Sequence, residues 1–256
     1  MLITLDTFAR IAGKKPNDNM ASALQGLQYA GDTVGLNKPH RLAVFLAQTA
    51  HESAGWQWDK EIWGPTKAQK GYEGRKDLGN TQPGDGSLFR GYTPMQITGR
   101  YNTTKFYNWC KAKFPKLNPP NFVVKPYLMN TDPWEGIGPL WYWSEAKGFS
   151  LNGPCDRGDF RQATKLINGG YNGLSERYRY YGRAALVLLG RDVESMRDFQ
   201  REYGLVADGI VGEKTFLLLH NLLLKLPAVK FTESAVVTGV NPFTALLNFI
   251  MKLIGK

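Results

Sequence analysis

Apolar residues recur with helical spacing over most of the chain. They return every three or four positions in segments that glycine and proline separate from one another. Alternation of apolar and polar residues is too short-ranged to predict more than a small hairpin near residues 89–98. The predicted helices cover residues 4–13, 18–35, 39–52, 101–114, 134–147, 160–168 and 177–189. The pattern therefore predicts a mainly α fold.

The predicted helix that begins at Pro39 carries the first candidate for chemistry. Proline suits the first helical position, and Phe45 and Thr49 belong to an apolar stripe. Glu52 follows three residues after Thr49, which places it at the border of this stripe. A carboxyl group that is partly removed from water is suited to donate a proton.

A second carboxylate, Glu61, follows nine positions after Glu52 and lies beyond Gly55. Because a glycine lies between them, the two carboxylates can face each other only across a bend. Hydrolysis of a glycosidic bond needs two carboxyl groups in unlike settings, one to protonate the leaving oxygen and one to activate water. The pair is therefore a candidate for glycan hydrolysis, although most charged residues are solvated surface.

A long loop rich in Gly, Asn, Asp and Pro runs over residues 64–94. A loop of this length inside a compact domain is normally functional. It contains a third carboxylate, Glu73, for which we expect a structural ion pair with Arg75 or another basic neighbour. His51, beside Glu52, is expected to be a packed structural residue.

Three tryptophans, Trp56, Trp58 and Trp63, surround the two glutamates in sequence. Sugar rings stack their apolar faces on aromatic rings, so these residues are candidates for sugar subsites. Most aromatic side chains belong to the core. We expect one of the three, with Trp63 as the candidate, to touch a substrate.

Four segments give a more specific indication. They read AQTAHESAGW, GNTQPGDGSLFRG, MQITGRYN and INGGYNGLSERYRYYGRA. In this order they resemble motifs of the family 19 glycoside hydrolases, which include chitinases and chitinase-like endolysins of bacteriophages. The resemblance covers roughly residues 20–190 and implies two helical lobes that flank a cleft, as in lysozyme-like folds.

The resemblance implies a role for each matching residue. Glu52 matches the general acid and Glu61 the general base of an inverting reaction, in which water enters between the two carboxyl groups. The positions that match residues holding the water and the sugar are Gln96, Thr98 and Asn102. Asn168 and Arg177 match residues on the far side of the cleft. One departure is Tyr92-Thr93, where family members usually carry Arg-Gly, so a tyrosine is expected in the cleft wall.

The sequence pattern changes after Gly190. This change predicts a catalytic domain of residues 1–190 and a smaller module of residues 191–227. The module resembles the three-helix peptidoglycan-binding module of cell-wall hydrolases. Its matching positions, and hence the candidates for wall binding, are Phe199, Asp208, Gly209 and Thr215. The alternative is a plain helical hairpin that completes the enzyme core.

Residues 228–256 are predicted to form a linker over 228–240 and then a short amphipathic helix over 242–256. The helix is too short to span a bilayer, and its apolar face could lie on an anionic membrane surface. Docking onto the preceding module is the alternative.

Charge and cysteine content narrow the function classes. The formal net charge of +10 favours polyanions. The sequence has no nucleic-acid-binding motif and no dense basic run, so we expect the binding partner to be an acidic polymer of the bacterial envelope and not nucleic acid. The alternative is that the charge only keeps the protein soluble. Cys110 and Cys155 lack metal-ligand spacing and are expected to be buried free thiols, and neither metal nor cofactor is expected.

These features together predict a monomeric endolysin that hydrolyses the β-1,4 glycan of bacterial peptidoglycan. The N-terminal residues lack a signal-peptide pattern, so we expect synthesis in the host cytoplasm and action on the wall after release. A chitinase and a non-catalytic wall-binding protein are the alternatives.

Overall fold

The computed structural model describes residues 1–232, so the predicted helix over residues 242–256 lies outside the described residues. Within this range the chain forms twelve α-helices. They are α1 (Leu5–Ala12), α2 (Asp18–Ala30), α3 (Pro39–Glu52), α4 (Lys67–Lys70), α5 (Asp85–Leu88), α6 (Arg100–Lys113), α7 (Trp134–Trp141), α8 (Asn152–Asp156), α9 (Phe160–Asn168), α10 (Leu174–Leu188), α11 (Met196–Glu202) and α12 (Glu213–Leu224).

The mainly helical fold class is confirmed. Helix α9 has the predicted bounds, whereas α2 ends at Ala30 and continues as turns to Gly35, whose φ of 72° closes the segment. Helix α10 begins three residues before the predicted start. The loop over residues 64–94 contains the one-turn helices α4 and α5. In residues 1–232 the only extended pairings are isolated bridges, two of which join Tyr92 to Lys60 and to Ile97.

Helix α3 lies at the centre of the molecule. Its residues from Leu42 to Ala50 are all buried, so the helix is covered on every side and not only along the predicted stripe. It packs mainly against α10, with α8 and α12 as further neighbours. Glu52 therefore stands at the end of a helix that is enclosed over most of its length.

Helices α2 and α7 form a second close pair, which two glycines make possible. A Cβ atom added to Gly26 would lie 2.1 Å from the carbonyl oxygen of Gly136. A Cβ added to Gly136 would lie 1.8 Å from the carbonyl oxygen of Ser22. The backbones thus touch where any side chain would separate the helices.

The C-terminal hairpin, formed by α11 and α12, packs on the catalytic helices. Helix α12 contacts both α3 and α10, and its Phe216 ring lies 4.7 Å from that of Tyr181. Residues 228–231 are not the predicted linker: the amide of Ile3 donates to the carbonyl of Lys230, and Phe231 is buried against Gly31. The chain beyond α12 is therefore tied to the N-terminal region.

Cys110 and Cys155 are free and buried, and burial raises the pKa of both thiols. No helix within residues 1–232 combines the length and the apolar composition that crossing a membrane requires.

Replacement of Gly26 or Gly136 by alanine should separate α2 from α7. We expect either variant to lower the free energy of unfolding by about 1–3 kcal/mol, the usual cost of overpacking. Chemical denaturation measures the change. Gly153→Ala, within α8, is the matched control, because a Cβ there would lie 3.5 Å from its nearest neighbour, the end of the Arg157 side chain. An equal loss in all three variants would contradict the backbone contact as the cause.

Candidate active site

The carboxylate of Glu52 is held by an arginine from the other central helix. Nη2 of Arg177 in α10 lies 2.5 Å from Oε1 of Glu52. Nη1 of the same guanidinium donates to Oε1 of Gln48, one turn before Glu52 in α3. Since Gln48 and Glu52 are four residues apart, they share a helix face, and one arginine reaches both.

Arg177 is fully buried, with none of its side chain exposed. Its remaining nitrogen, Nε, donates to the carbonyl of Asn172, in the loop after α9. The family resemblance implied that Arg177 lines the far side of the cleft. Its complete burial means that it does not line an open wall. It lies behind Glu52 and positions that carboxylate, because an unpaired guanidinium in this interior would be very costly.

The chain reverses direction immediately after Glu52. Ala54, Gly55 and Trp56 have consecutive positive φ angles of 51°, 70° and 57°. The hydroxyl of Ser53 accepts a hydrogen bond from the amide of Trp56 and fastens this turn. Trp56 is buried edge-to-face against Phe8, so it is a core residue and not a sugar subsite. The bend predicted between the two glutamates is this turn.

Glu61 is surrounded by neutral donors. Its Oε1 accepts from Nε2 of Gln69 at 2.9 Å and from the hydroxyl of Tyr72 at 3.3 Å. Its Oε2 accepts from the amide of Gly91 at 2.9 Å. Burial, with the charge of Glu61 adding to it, raises the pKa of Tyr72 and keeps its hydroxyl protonated as a donor. The two glutamates thus have unlike settings: the donor to Glu52 is the charged Arg177, whereas the donors to Glu61 are all neutral.

The predicted substrate-binding residues Gln96, Thr98 and Asn102 form a connected series beside Glu61. A Cβ added to Gly91 would lie 2.1 Å from Oε1 of Gln96, so the glycine lets this side chain approach. The hydroxyl of Thr98 donates to the carbonyl of Gln96, and Nδ2 of Asn102 donates to that of Thr98. Gln96 has a φ of 52°, a strained conformation for a residue other than glycine.

Tyr92 is not in a cleft wall. Its ring is buried and its hydroxyl donates to the carbonyl of Leu88, which anchors the loop before the site. Thr93 has a φ of 62° and its side chain presses on Gly138 of α7. The two residues that depart from the family pattern therefore pack inside the loop, and Gly91 next to them still donates to Glu61.

A polar network supports the segment of Glu61 from behind. Nδ2 of Asn130 donates to both the carbonyl and the carboxylate of Asp59, and its Oδ1 accepts from the amide of Thr93. Glu135, at the start of α7, is buried, and its Oε1 is without a hydrogen-bond partner in the described part of the chain. Burial, with Asp59 and Asp132 adding to it, raises the pKa of Glu135 to about 8.

Several residues around Glu52 were not singled out from the sequence. Tyr142 donates to the carbonyl of Ile167, and burial together with the charge of Glu52 raises the pKa of Tyr142 to about 12. Nδ1 of His51 lies 2.7 Å from Oε2 of Glu176, which gives the predicted structural histidine a partner. Of the neighbours of Glu52, only Gln48 could have been found from the sequence, because it lies four residues earlier and therefore on the same helix face.

The remaining candidates lie at the margin of the site. Asn168 ends α9 and is exposed, next to the residue that Tyr142 contacts. Trp58 is exposed, and Trp63 is half-buried with its ring 6.4 Å from that of Tyr72. Both tryptophans can still meet a substrate.

Glu73 does not form the predicted ion pair. Its two carboxylate oxygens accept from the amides of Gly84 and Gly86 at the start of α5, and Arg75 pairs with Asp77. Carboxylates stabilise exposed backbone amides at such positions, and this one fixes the loop.

The four candidates for wall binding in the C-terminal hairpin are arranged around Gln200. Nε2 of Gln200 donates to Asp208 and Thr215, and its Oε1 accepts from the amide of Gly209. Phe199 and Thr215 are buried, so they cannot contact a polymer directly. These residues build the turn between α11 and α12.

Comparison with known proteins identifies the family. No family model matches the chain. Over 173 residues it is 30% identical to a Haemophilus influenzae protein described as a glycosyl hydrolase family 19 domain-containing protein, covering 57% of this chain and 78% of that one. The chain belongs to glycosyl hydrolase family 19. It is therefore a glycoside hydrolase, which sets aside the alternative of a non-catalytic wall-binding protein.

Two solved structures share the family 19 fold. Chitinase C from Streptomyces griseus aligns with a TM-score of 0.52 and 20% identity, over 75% of this chain and 78% of that chain. A bacterial family 19 chitinase, described as differing from plant enzymes, aligns with a TM-score of 0.52 and 17% identity, over 71% and 92%. At these identities the likeness is one of fold.

Removal of the buried guanidinium of Arg177 should destabilise the folded protein. We expect Arg177→Met to lower the free energy of unfolding by about 3–5 kcal/mol, because it leaves Glu52 and Gln48 without their donor. Arg157→Met is the control, since Arg157 is exposed. Denaturation curves compare the two, and equal stability would contradict the role of Arg177.

The stability of the protein should fall as pH rises because of Glu135. Its pKa is about 8 in the folded protein against an ordinary value of 4.5. Between these values the folded state keeps a proton that the unfolded state releases, so unfolding free energy declines by up to about 1.4 kcal/mol per pH unit. Glu135→Gln should flatten that dependence and Glu213→Gln should not, in denaturation curves recorded from pH 5 to about 8.5.

Proposed function

We propose that this protein hydrolyses the β-1,4 glycan of bacterial peptidoglycan by an inverting acid and base mechanism and so acts as an endolysin. The observation that carries the mechanism is the unlike environment of Glu52 and Glu61, on either side of the sharp turn at residues 54–56. Two carboxyl groups with separate tasks need such a difference.

Glu52 takes the part of the acid. Arg177 occupies its Oε1, so Oε2 is the oxygen from which Glu52 would give a proton to the leaving oxygen. After transfer, the carboxylate becomes the anionic half of the ion pair with Arg177. The guanidinium thus stabilises the state that exists once the glycosidic bond is broken.

Glu61 takes the part of the base. Its three donors fix the direction of the carboxylate and stabilise its charge, which lets it accept a proton from a water molecule at the anomeric carbon. Gln96, with its side chain beside Gly91, is in position to hold that water. Thr98 and Asn102 support Gln96 and present polar atoms to the sugar, and Trp63 offers an aromatic face.

The C-terminal hairpin supports peptidoglycan as the substrate. Its sequence resembles a wall-binding module, and it packs directly on the two helices that carry Glu52 and Arg177. A net charge of +10 also suits a wall polymer that carries carboxylates. Chitin is the second candidate, since both solved structures with this fold are chitinases by their titles.

The acid and base assignment predicts loss of activity on amide substitution. Glu52→Gln and Glu61→Gln should each lower glycan cleavage at least about a hundredfold, because each removes one proton transfer. The assay is turbidity loss of Gram-negative cells stripped of their outer membrane, with analysis of the reducing ends released. Glu213→Gln, on the first turn of α12, is the control.

The same assay separates the two substrates. A wild-type protein that clears stripped cells and releases muropeptides supports the endolysin proposal. Cleavage of chitin oligosaccharides with no action on isolated sacculi would overturn it in favour of a chitinase. Full activity of Glu61→Gln on either substrate would contradict the assignment of the base.

A further inference from the structure

A groove lies between α10 and the C-terminal hairpin, outside the pair of glutamates. It has a volume of about 990 Å³, at the upper end of the range of about 300–1,000 Å³ typical of ligand sites. One wall carries Glu176 and Arg179 of α10. The other carries Met196 and Arg197 of α11 and Ile210 of the following turn. The function proposed above leaves this groove without a role.

The groove is a fixed feature of the fold. A Cβ added to Gly182 of α10 would lie 2.5 Å from Val211 and 2.9 Å from the end of Met196, so the hairpin sits directly on the helix backbone. The turn around Gly209 is held by Gln200. Both walls are therefore set by buried contacts.

One end of the groove lies against His51, the residue that precedes the candidate acid. Gly173, at the start of α10, is so close to His51 that an added Cβ would lie 2.1 Å from its Cε1 atom. His51 is bonded to Glu176 and directly precedes Glu52. A substituent that projects from a sugar bound at Glu52 can thus enter the groove past His51.

The lining suits a short peptide with both charges. Arg197 pairs with no carboxylate in residues 1–232, and its Nη1 makes only a 3.3 Å contact with the carbonyl of Ala207. Arg179 lies 3.6 Å from Glu176 and stacks on Tyr180, which leaves donors free. His51 contacts Oε2 of Glu176, and the Glu176 side chain is 49% exposed, so Oε1 is available to an amino group.

Ile210 is 64% exposed at the edge of the groove, and Met196 and Val211 provide an apolar base. This combination fits a peptide that carries carboxylates, one free amino group and small alkyl side chains.

We propose that the groove binds the peptide stem attached to the sugar that lies next to Glu52 in peptidoglycan. The inference rests on the proposed function, because chitin has no peptide. It assigns to the hairpin a role other than anchoring: together with α10, the hairpin forms the site that distinguishes a peptide-bearing glycan from a bare one.

The test compares Arg197→Ala with wild type on glycan strands with intact tetrapeptide stems and on the same strands after an amidase has removed the peptides. Loss of a hydrogen bond to a charged group should raise KM on the peptide-bearing strands about tenfold, with kcat unchanged. KM on the bare strands should not change. Arg201→Ala, an exposed residue of the same helix paired with Asp198, is the matched control.

Equal KM values of wild type on the two substrates, or an equal change of both in Arg197→Ala, would overturn the inference while leaving the proposed function intact. If wild type cleaves neither substrate, the proposed function fails. The groove is then judged by binding of the free tetrapeptide in an NMR titration. Shifts in residues of the groove that Arg197→Ala abolishes support it, and unchanged spectra exclude it.

Discussion

The buried guanidinium of Arg177 is the interaction on which the site depends. A charge with no exposure to water needs partners that satisfy it, and here they come from one face of α3. The requirement fixes the rotation of α3 against α10 as well as the direction of Glu52. The same contacts of Arg177 therefore determine both how the two central helices pack and where the acid lies.

The location of the site follows from that pairing. Helix α3 is buried along most of its length and its last turn reaches the surface, so Glu52 is carried by a well-packed helix. Glu61, in contrast, comes from an extended segment with no regular structure. It is held by side chains and an amide of the loop opposite, and the Asn130 network keeps that loop in place. One carboxylate is positioned by a helix and the other by hydrogen bonds.

The C-terminal hairpin illustrates why a resemblance to a motif does not locate a binding surface. Phe199 and Thr215 are recognisable because the turn between the two helices requires them, and that requirement buries them. The residues free to meet a ligand, such as Arg197 and Ile210, lie on the outside of the turn and belong to no motif. Their surroundings are completed by α10, which is remote in sequence.

The sequence by itself determined the helical class, the bounds of α9, the first position of α3 at Pro39 and the bend after Glu52, because helical periodicity and turn residues act over a few positions. Its motifs also indicated the family 19 glycoside hydrolases. The tertiary structure decided what lies beside each candidate: Arg177 meets Glu52 across 125 residues, Trp56 enters the core and Glu73 binds backbone amides. Such contacts depend on how helices pack, and packing joins residues whose separation along the chain leaves no local pattern.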